Sequence, residues 1–438
     1  MRMCNKILIV LVILMVQGLL WAEGLFESTT SDQSKTTEQA IDKTNVGLSL
    51  SGFIKSGVFF GQDEQFRATT LREYGEFDLK GDVVKDKLGR ALIDIRYFSD
   101  VNSLDVREAW VETSTGSLDI RLGRQIIVWG RADSINPTNN ITPFNSLVLS
   151  SEYDDTRLSN ELVQLKLKLA PELNLQAIWV PAYRSDTLVF DRMSLPAGIS
   201  IGQNAFPVSS LSNGSVALRM EAATGAIDGS ISYYYGYNVL PGFDYTFTMT
   251  GMAIVPTAYR MQAIGGDFST ALAGFGLRGE VCAKIPELSQ SDYVYIPAPY
   301  LQYVFGVDRS MGDFNVLVQY SGLYVTDFKQ LDPLTMNPAA LQMATINRLF
   351  LGTSDQVSHA ATAQIGWNGM SDTLHVKLAG MYIFTTKEYA VLPSITYDIA
   401  DALTGTIGVR NVDGPDSSLN HMINKLMSMA YVELKCSF

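Results

Sequence analysis

Cysteine and histidine are scarce in this chain, with three of each in 438 residues. Three isolated histidines, His359, His375 and His421, leave little material for a zinc centre or for proton transfer near neutral pH. After residue 22 no apolar run approaches the roughly 18 residues a membrane-spanning helix needs, so a helical membrane protein is excluded. The acids of the 131–158 segment are oxygen donors suited to Ca²⁺ but lack the spacing of a calcium-binding hand. No enzyme, cofactor or metal site is expected.

What is abundant points one way. The chain is 47% hydrophobic, yet its mean hydropathy is only +0.09. Tyrosine and phenylalanine number 20 each and glycine 35. Aromatic residues suit strands and membrane-interface girdles, and glycine suits tight turns.

Residues 1–22 have the build of a secretory signal: Arg2 and Lys6, a ten-residue apolar core from Ile7 to Val16, then Ala22 at the cleavage point. Cys4 precedes the apolar core, the wrong place for lipid attachment. Without Arg2 and Lys6 the 33 basic residues fall to 31 against 45 acidic, a formal charge of −14. Nucleic acid would repel such a chain. Cys282 and Cys436 both fall in expected strands, which argues against a disulfide framework. Residues 23–45 are polar and charged and read as a mobile tail.

From Val46 to Phe438 the pattern is alternation. Phe77 and Leu79 alternate with Asp78 and Lys80; Leu118, Ile120 and Leu122 with Asp119 and Arg121; Val163, Leu165 and Leu167 with Gln164, Lys166 and Lys168. A water-soluble sandwich also alternates, but in strands of about five or six residues. Here the two-sided segments run about 10 to 14, the span of a tilted strand through an outer membrane. Eighteen strands are expected, at 46–60, 71–83, 88–98, 104–114, 117–129, 159–169, 173–183, 212–222, 226–237, 252–268, 271–284, 298–309, 313–325, 356–368, 373–385, 388–398, 402–411 and 425–438. Sixteen is the alternative, since Pro256 and Pro393 weaken two segments. Tight turns near Lys85–Lys87, Thr115–Ser117, Ala170–Glu172, Thr224–Ala226, Thr270, Met311–Asp313, Met370–Asp372 and Ala400–Asp401 alternate with mostly longer connections. Short turns on one side and long loops on the other define the expected class: an all-β, transmembrane, antiparallel up-and-down barrel over residues 46–438.

The last strand keeps its alternation to the final residue. Val432, Leu434, Cys436 and Phe438 share one face, and this ending resembles the C-terminal signal of bacterial outer-membrane proteins. The resemblance implies recognition by the barrel-assembly machinery and a place in the outer membrane of a Gram-negative-type envelope.

The most distinctive stretch is Asp119 to Asn145, DIRLGRQIIVWGRADSINPTNNITPFN. Arg124 shares the parity of Leu118, Ile120 and Leu122 and would face lipid, at about 2–4 kcal/mol near the midplane. A bulge at Gly123 would turn it into the lumen, and a position near the rim would let it reach out of the lipid. Leu122-Gly123-Arg124-Gln125 resembles the end of the fifth strand in general porins, where the following loop folds into the pore; this implies that Arg124 lines a constriction. The longer string, together with GGDFSTALAGFGLRGEV at 265–281 and ITYDIADALTGTIGV at 395–409, is similar to an uncharacterised family of large outer-membrane barrels.

The 131–158 loop carries Arg131, Asp133, Glu152, Asp154, Asp155 and Arg157, with Arg121, Lys166, Lys168 and Lys377 as candidate basic partners on inward faces. Carboxylates facing a basic wall would screen permeants by size and charge. Tyr233, Tyr234, Tyr235 and Tyr237, and Tyr293, Tyr295, Tyr300 and Tyr303, read as interface girdle, with a sugar-stacking slide as the sharper reading. The expectation is a passive channel for small hydrophilic solutes or sugars. An exporter of anionic polysaccharide is the alternative, which resembles alginate-export barrels and needs a strongly basic lumen. A non-conducting structural barrel ranks below both. Besides lipid and the assembly machinery, the partner left open is a second and third copy in a homotrimer.

Overall fold

The computed structural model describes residues 47–62, 67–85, 89–133, 135–187, 198–290, 293–416 and 418–438. The expected signal (1–22) and tail (23–45) lie outside the described residues.

The first seven strands are β1 (Gly47–Gln62), β2 (Ala68–Lys85), β3 (Gly89–Phe98), β4 (Ser103–Thr115), β5 (Leu118–Gln125), β6 (Asn160–Ala170) and β7 (Leu173–Val180). A short loop strand β8 (Ile199–Ile201) precedes β9 (Ser215–Ala223) and β10 (Ile227–Tyr237). Two more loop strands, β11 (Gly242–Thr248) and β12 (Gly251–Thr257), lead into β13 (Arg260–Leu272), β14 (Phe275–Pro286), β15 (Tyr300–Met311) and β16 (Phe314–Val325). After helix α1 (Pro338–Leu351) come β17 (Val357–Gly369), β18 (Leu374–Ile383), β19 (Glu388–Ala400) and β20 (Leu403–Asp413). Helix α2 (Leu419–Met427) and β21 (Met429–Ser437) complete the chain.

Eighteen of these strands form one antiparallel sheet, and β8, β11 and β12 form a second sheet of three. The large sheet closes: β21 pairs with β1, with Val58 opposite Val432 and Phe53 opposite Ser437. Closure leaves no open edge, the condition for a sheet to sit in lipid. Phe438 continues the pairing by exchanging backbone hydrogen bonds with Gly52, and its ring stacks on Phe77 at 6.3 Å.

The two faces are inverted relative to a water-soluble protein. Outward positions are apolar and exposed, as at Ile54, Ile231, Ile264, Val318, Leu378, Ile407 and Leu434. Inward positions are polar and buried, as at Lys55, Glu76, Arg96, Gln164, Asp267, Glu280 and Gln319. Among the described residues no helix is long and apolar enough to cross a membrane. The strands do the crossing.

The eighteen-strand count stands, with local corrections. The expected strand 252–268 divides: Gly251–Thr257, with Pro256, pairs with β11 and β8 in the loop sheet, and only β13 enters the barrel. The turn expected at Thr270 falls at Ala273 and Gly274, whose φ values of 52° and 79° match the right-handed twist of a hairpin. Pro393 does lie in a barrel strand. It has no N–H, and the β19–β20 ladder passes over it, resuming at Ser394 opposite Gly408.

The long connections contain two helices that alternation does not signal. Asn337 caps α1 by accepting the Ala339 N–H at 2.9 Å, Pro338 fits the first turn, and Gly352 ends it at φ 67°. In α2, Ser418 caps the first turn while Glu388 of β19 accepts the Leu419 and Asn420 N–H groups. This shortens the last strand, expected from residue 425, to Met429–Ser437. Met343, Ile346 and Phe350 of α1, Phe243, Met252 and Ile254 of the loop sheet and Leu419, Ile423 and Met427 of α2 form one apolar cluster. That cluster rests on Met381, Ala390 and Val412 of the wall, at the long-loop end of the barrel.

Candidate functional site

The connection from β5 to β6 does not stay at the rim. Ile127, Trp129, Ile141 and Leu162 are buried in one cluster with Ile178, Met261 and Cys282. Trp129 donates its indole N–H to Gln176 of β7 at 2.9 Å. These anchors carry the segment inward.

Glu280 of β14 then takes hold of it. Its carboxylate accepts the backbone N–H groups of Arg131 (2.5 Å), Ala132 (2.7 Å) and Thr138 (3.3 Å) and the Thr138 hydroxyl (2.9 Å). Gly130 makes this geometry available. Its φ is 109°, and a Cβ there would lie 2.5 Å from Glu280 Oε1. The Trp-Gly-Arg and Asn-Pro-Thr portions of the distinctive stretch thus wrap one carboxylate. Arg131 pairs with Asp267 of β13 at 2.8 Å and Glu221 of β9 at 2.6 Å. Asp133 pairs with Arg278 of β14. Asp267, Arg278 and Glu280 all fall within the 265–281 stretch, so two of the quoted segments meet in space.

The far end of the loop is tied to a different part of the wall. Tyr153–Thr156 forms a single 3-10 turn. Asp155 meets Lys55 of β1 and Arg96 of β3, each at 2.5 Å. Glu152 meets Lys435 of β21 at 2.7 Å, and the Ser151 N–H reaches Glu433 at 3.0 Å. Arg107 of β4 donates to the Asp154 carbonyl. Asp154 also pairs with Arg157 at 2.8 Å. The loop is therefore fastened to β9, β13 and β14 at one end and to β1, β3, β4 and β21 at the other.

Burial alone would raise the Asp155 carboxyl. The Lys55 and Arg96 charges overcome it and hold the group well below the usual carboxylate range. Burial also pushes the Asp133 carboxyl up, against the pull of Arg278. The Asp155 latch is thus the stronger electrostatic one.

Four of the basic partners expected for this loop lie elsewhere. Arg121 faces the lumen but pairs with Glu112 at 2.7 Å and lies 3.8 Å from the centre of the Trp110 ring. Lys168 pairs with Asp119 at 3.7 Å. Lys166 stands opposite Asp119, and Lys377 stands opposite Gly366 and Ser394 with no ion pair among the described residues. Arg124 needs a correction. It stays in register with Ala109 and Glu161, on the outward face, and pairs with Glu161 at 3.0 Å while donating to the Val106 carbonyl at 2.9 Å. Gly123 does adopt φ 130°, and a Cβ there would meet the Ala109 carbonyl at 2.3 Å, but the ladder does not slip. Arg124 is an outward rim residue.

Lys55, Arg96, Lys435, Glu221, Asp267, Arg278 and Glu280 are the wall residues in contact with this loop that the sequence reading did not single out. Their signal was present: each is a charged residue on the inward parity of a barrel strand.

The aromatic clusters split by face. Tyr234 and Tyr300 are buried, whereas Tyr293 is exposed. The histidines stand apart: His359 contacts Tyr320, His375 contacts Asn368 and Asp398, and His421 contacts Asp413. One Gly-x-Ser-x-Gly string occurs, Gly198 to Gly202, but Ser200 lies within β8 opposite Ala253 and not on a strand-to-helix elbow.

An eighteen-stranded closed barrel, apolar outside and ion-paired inside, is an outer-membrane barrel of porin architecture. The chain is similar in structure to Acinetobacter baumannii OccAB1, with a TM-score of 0.54 at 9% identity over 92% of this chain and 99% of that one. It is similar to Pseudomonas aeruginosa OccK3 (OpdO), 0.53 at 9% identity over 89% and 95%, and to a BenF-like porin from Pseudomonas fluorescens Pf-5, 0.52 at 9% over 91% and 99%. At these identities the likeness speaks for the fold. No curated protein matches the chain in sequence. The chain belongs to the family described as a protein of unknown function, DUF1302, whose profile matches residues 29–282.

Proposed function

We propose that this protein is an outer-membrane channel through which small hydrophilic solutes diffuse passively, narrowed by the 131–158 loop. The observation that carries this reading is the loop's double fastening, at Glu280, Asp267 and Arg278 on one side and at Lys55, Arg96 and Lys435 on the other. A surface loop would leave those charges in water. Here the ion pairs offset the cost of taking them out of it, which for an unpaired ion is several kcal/mol. The intermixing of inward acids and bases argues against the export of an anionic polysaccharide, which needs a predominantly basic lumen. Val432, Leu434, Cys436 and Phe438 are read as the assembly signal, supported by the outward exposure of the first three and the Phe438–Phe77 stack.

Single-channel recording of the purified protein tests the reading. Discrete conductance is expected, and deletion within 133–155 should enlarge it. A barrel that never conducts, or a deletion with no effect on conductance and selectivity, would overturn it.

A further inference from the structure

A cavity of about 150 Å³ lies beside the constriction loop, between Asn136 and Arg157 of that loop, Asp186, Lys284 of β14 and Tyr300 of β15. Lys284 shares the inward face of β14 with Glu280, two inward steps nearer the long-loop end. The cavity therefore sits on the outer side of the Glu280 latch.

Its charges are placed with care. Asp186 is held from two directions: its N–H donates to the Val239 carbonyl at 2.9 Å, and its carboxylate accepts the Phe144 N–H at 2.8 Å. Thr187, the next residue, donates to the Phe144 carbonyl at 2.8 Å, so this connection is zipped to the constriction loop. Arg157 is bridged to Phe144 and tied to Asp154. Asp186 is 6% exposed, and among the described residues it forms no ion pair with Lys284. One carboxylate and one cation, Asp186 and Lys284, thus line one space without meeting, with the paired Arg157 beside them. Each bears a desolvation penalty that a direct contact would have relieved. A solute carrying both charges would relieve it by bridging them.

We propose that this cavity is a capture site for a small zwitterion of α-amino-acid type, its carboxylate taken by Lys284 and its ammonium by Asp186. The size agrees, since a cavity of roughly 150 Å³ accommodates a molecule of about six heavy atoms, the size of alanine. As a substrate class for the channel, this rests on the reading given above.

Titration calorimetry of the purified full-length barrel with L-alanine tests the site. Saturable binding is expected, with propionate, which lacks the ammonium, and L-alaninamide, which lacks the carboxylate, each at least tenfold weaker. Asp186→Asn should weaken alanine at least tenfold and leave propionate unchanged. Lys284→Met should weaken alanine and propionate and leave L-alaninamide unchanged. A misfolded variant would not yield that charge-matched pattern. No saturable heat with alanine, equal affinity for all three probes, or variants that bind alanine as the parent does would overturn the proposal. Conductance of the same preparation separates the two readings. Open channels without alanine binding sink the capture site alone, and charge-matched binding to a barrel that never conducts upholds the site while sinking the channel.

Discussion

Glu280 and Ala132 stand 148 positions apart, and the Glu280 carboxylate takes the Ala132 N–H at 2.7 Å. A wall residue thereby decides where the loop backbone runs. Hydrogen bonds to a charged group are worth about 1.5–3 kcal/mol each, and this carboxylate makes several. Glu280→Ala should release the first latch and raise the unitary conductance. Gly130→Ala should do the same without touching the acid, because its methyl would occupy the space of Glu280 Oε1. Planar-bilayer recording checks both, and a wild-type conductance in either variant contradicts the arrangement.

The second latch should resist acid. The folded Asp155 carboxyl lies below its unfolded value. Its contribution is therefore fully present above the ordinary carboxylate pKa of about 4 and is lost only as pH falls through the lower folded value. The difference in conductance between the wild-type barrel and Asp155→Asn should therefore persist from about pH 8 down to the ordinary carboxylate range. Asp155→Asn removes the shared partner of Lys55 and Arg96, at about 3–5 kcal/mol for a buried pair. That variant should show larger or noisier openings across the same range.

Arg124 and Arg131 are seven residues apart and should behave differently. Arg124 faces outward to Glu161, whereas Arg131 reaches Asp267 and Glu221 inside. Arg124→Ala should leave conductance and reversal potential unchanged. Arg131→Ala should alter both, since it leaves two lumen acids with Arg219 alone as their basic partner.

Asp186 gives a stability prediction of opposite sign to Asp155. Burial pushes its carboxyl up to about 7, against the Phe144 N–H and the Lys284 charge, with Arg157 lining the same cavity and Tyr183 nearby. A raised acid stabilises the fold when protonated. That contribution is present below the unfolded value and is lost as pH rises towards 7. Asp186→Asn, which keeps an acceptor for Phe144, should therefore raise Tm increasingly from about pH 4 to pH 8. Equal melting curves at both ends of that range would contradict the burial of this charge.

Removal of Phe438 should lower the yield of assembled barrel. It would cost the ring stack on Phe77 and the backbone pair with Gly52. The folded fraction on unheated gels measures this, and Phe438→Tyr, which keeps the ring, should restore most of it.

Much of the architecture follows from local alternation. A period of two assigns each side chain of β1, β6 or β18 to a face, and one face had to be apolar over the length of a membrane. Strand count, inside and outside, and the pairing of β21 with β1 all follow from that rule, because it acts residue by residue. The 126–159 connection obeys no period. The sequence places Asp155 and Arg131 on the loop but does not say that Lys55 and Asp267 await them. Those partners lie far along the chain and come together only when the sheet closes. The same holds for Arg124, whose face depended on whether the ladder slipped at Gly123, and for α1 and α2, which gain their stability from an apolar cluster shared across three connections and the wall. Face and span are properties of neighbouring residues, whereas the constriction is a property of long-range contacts, and only the closed barrel supplies them.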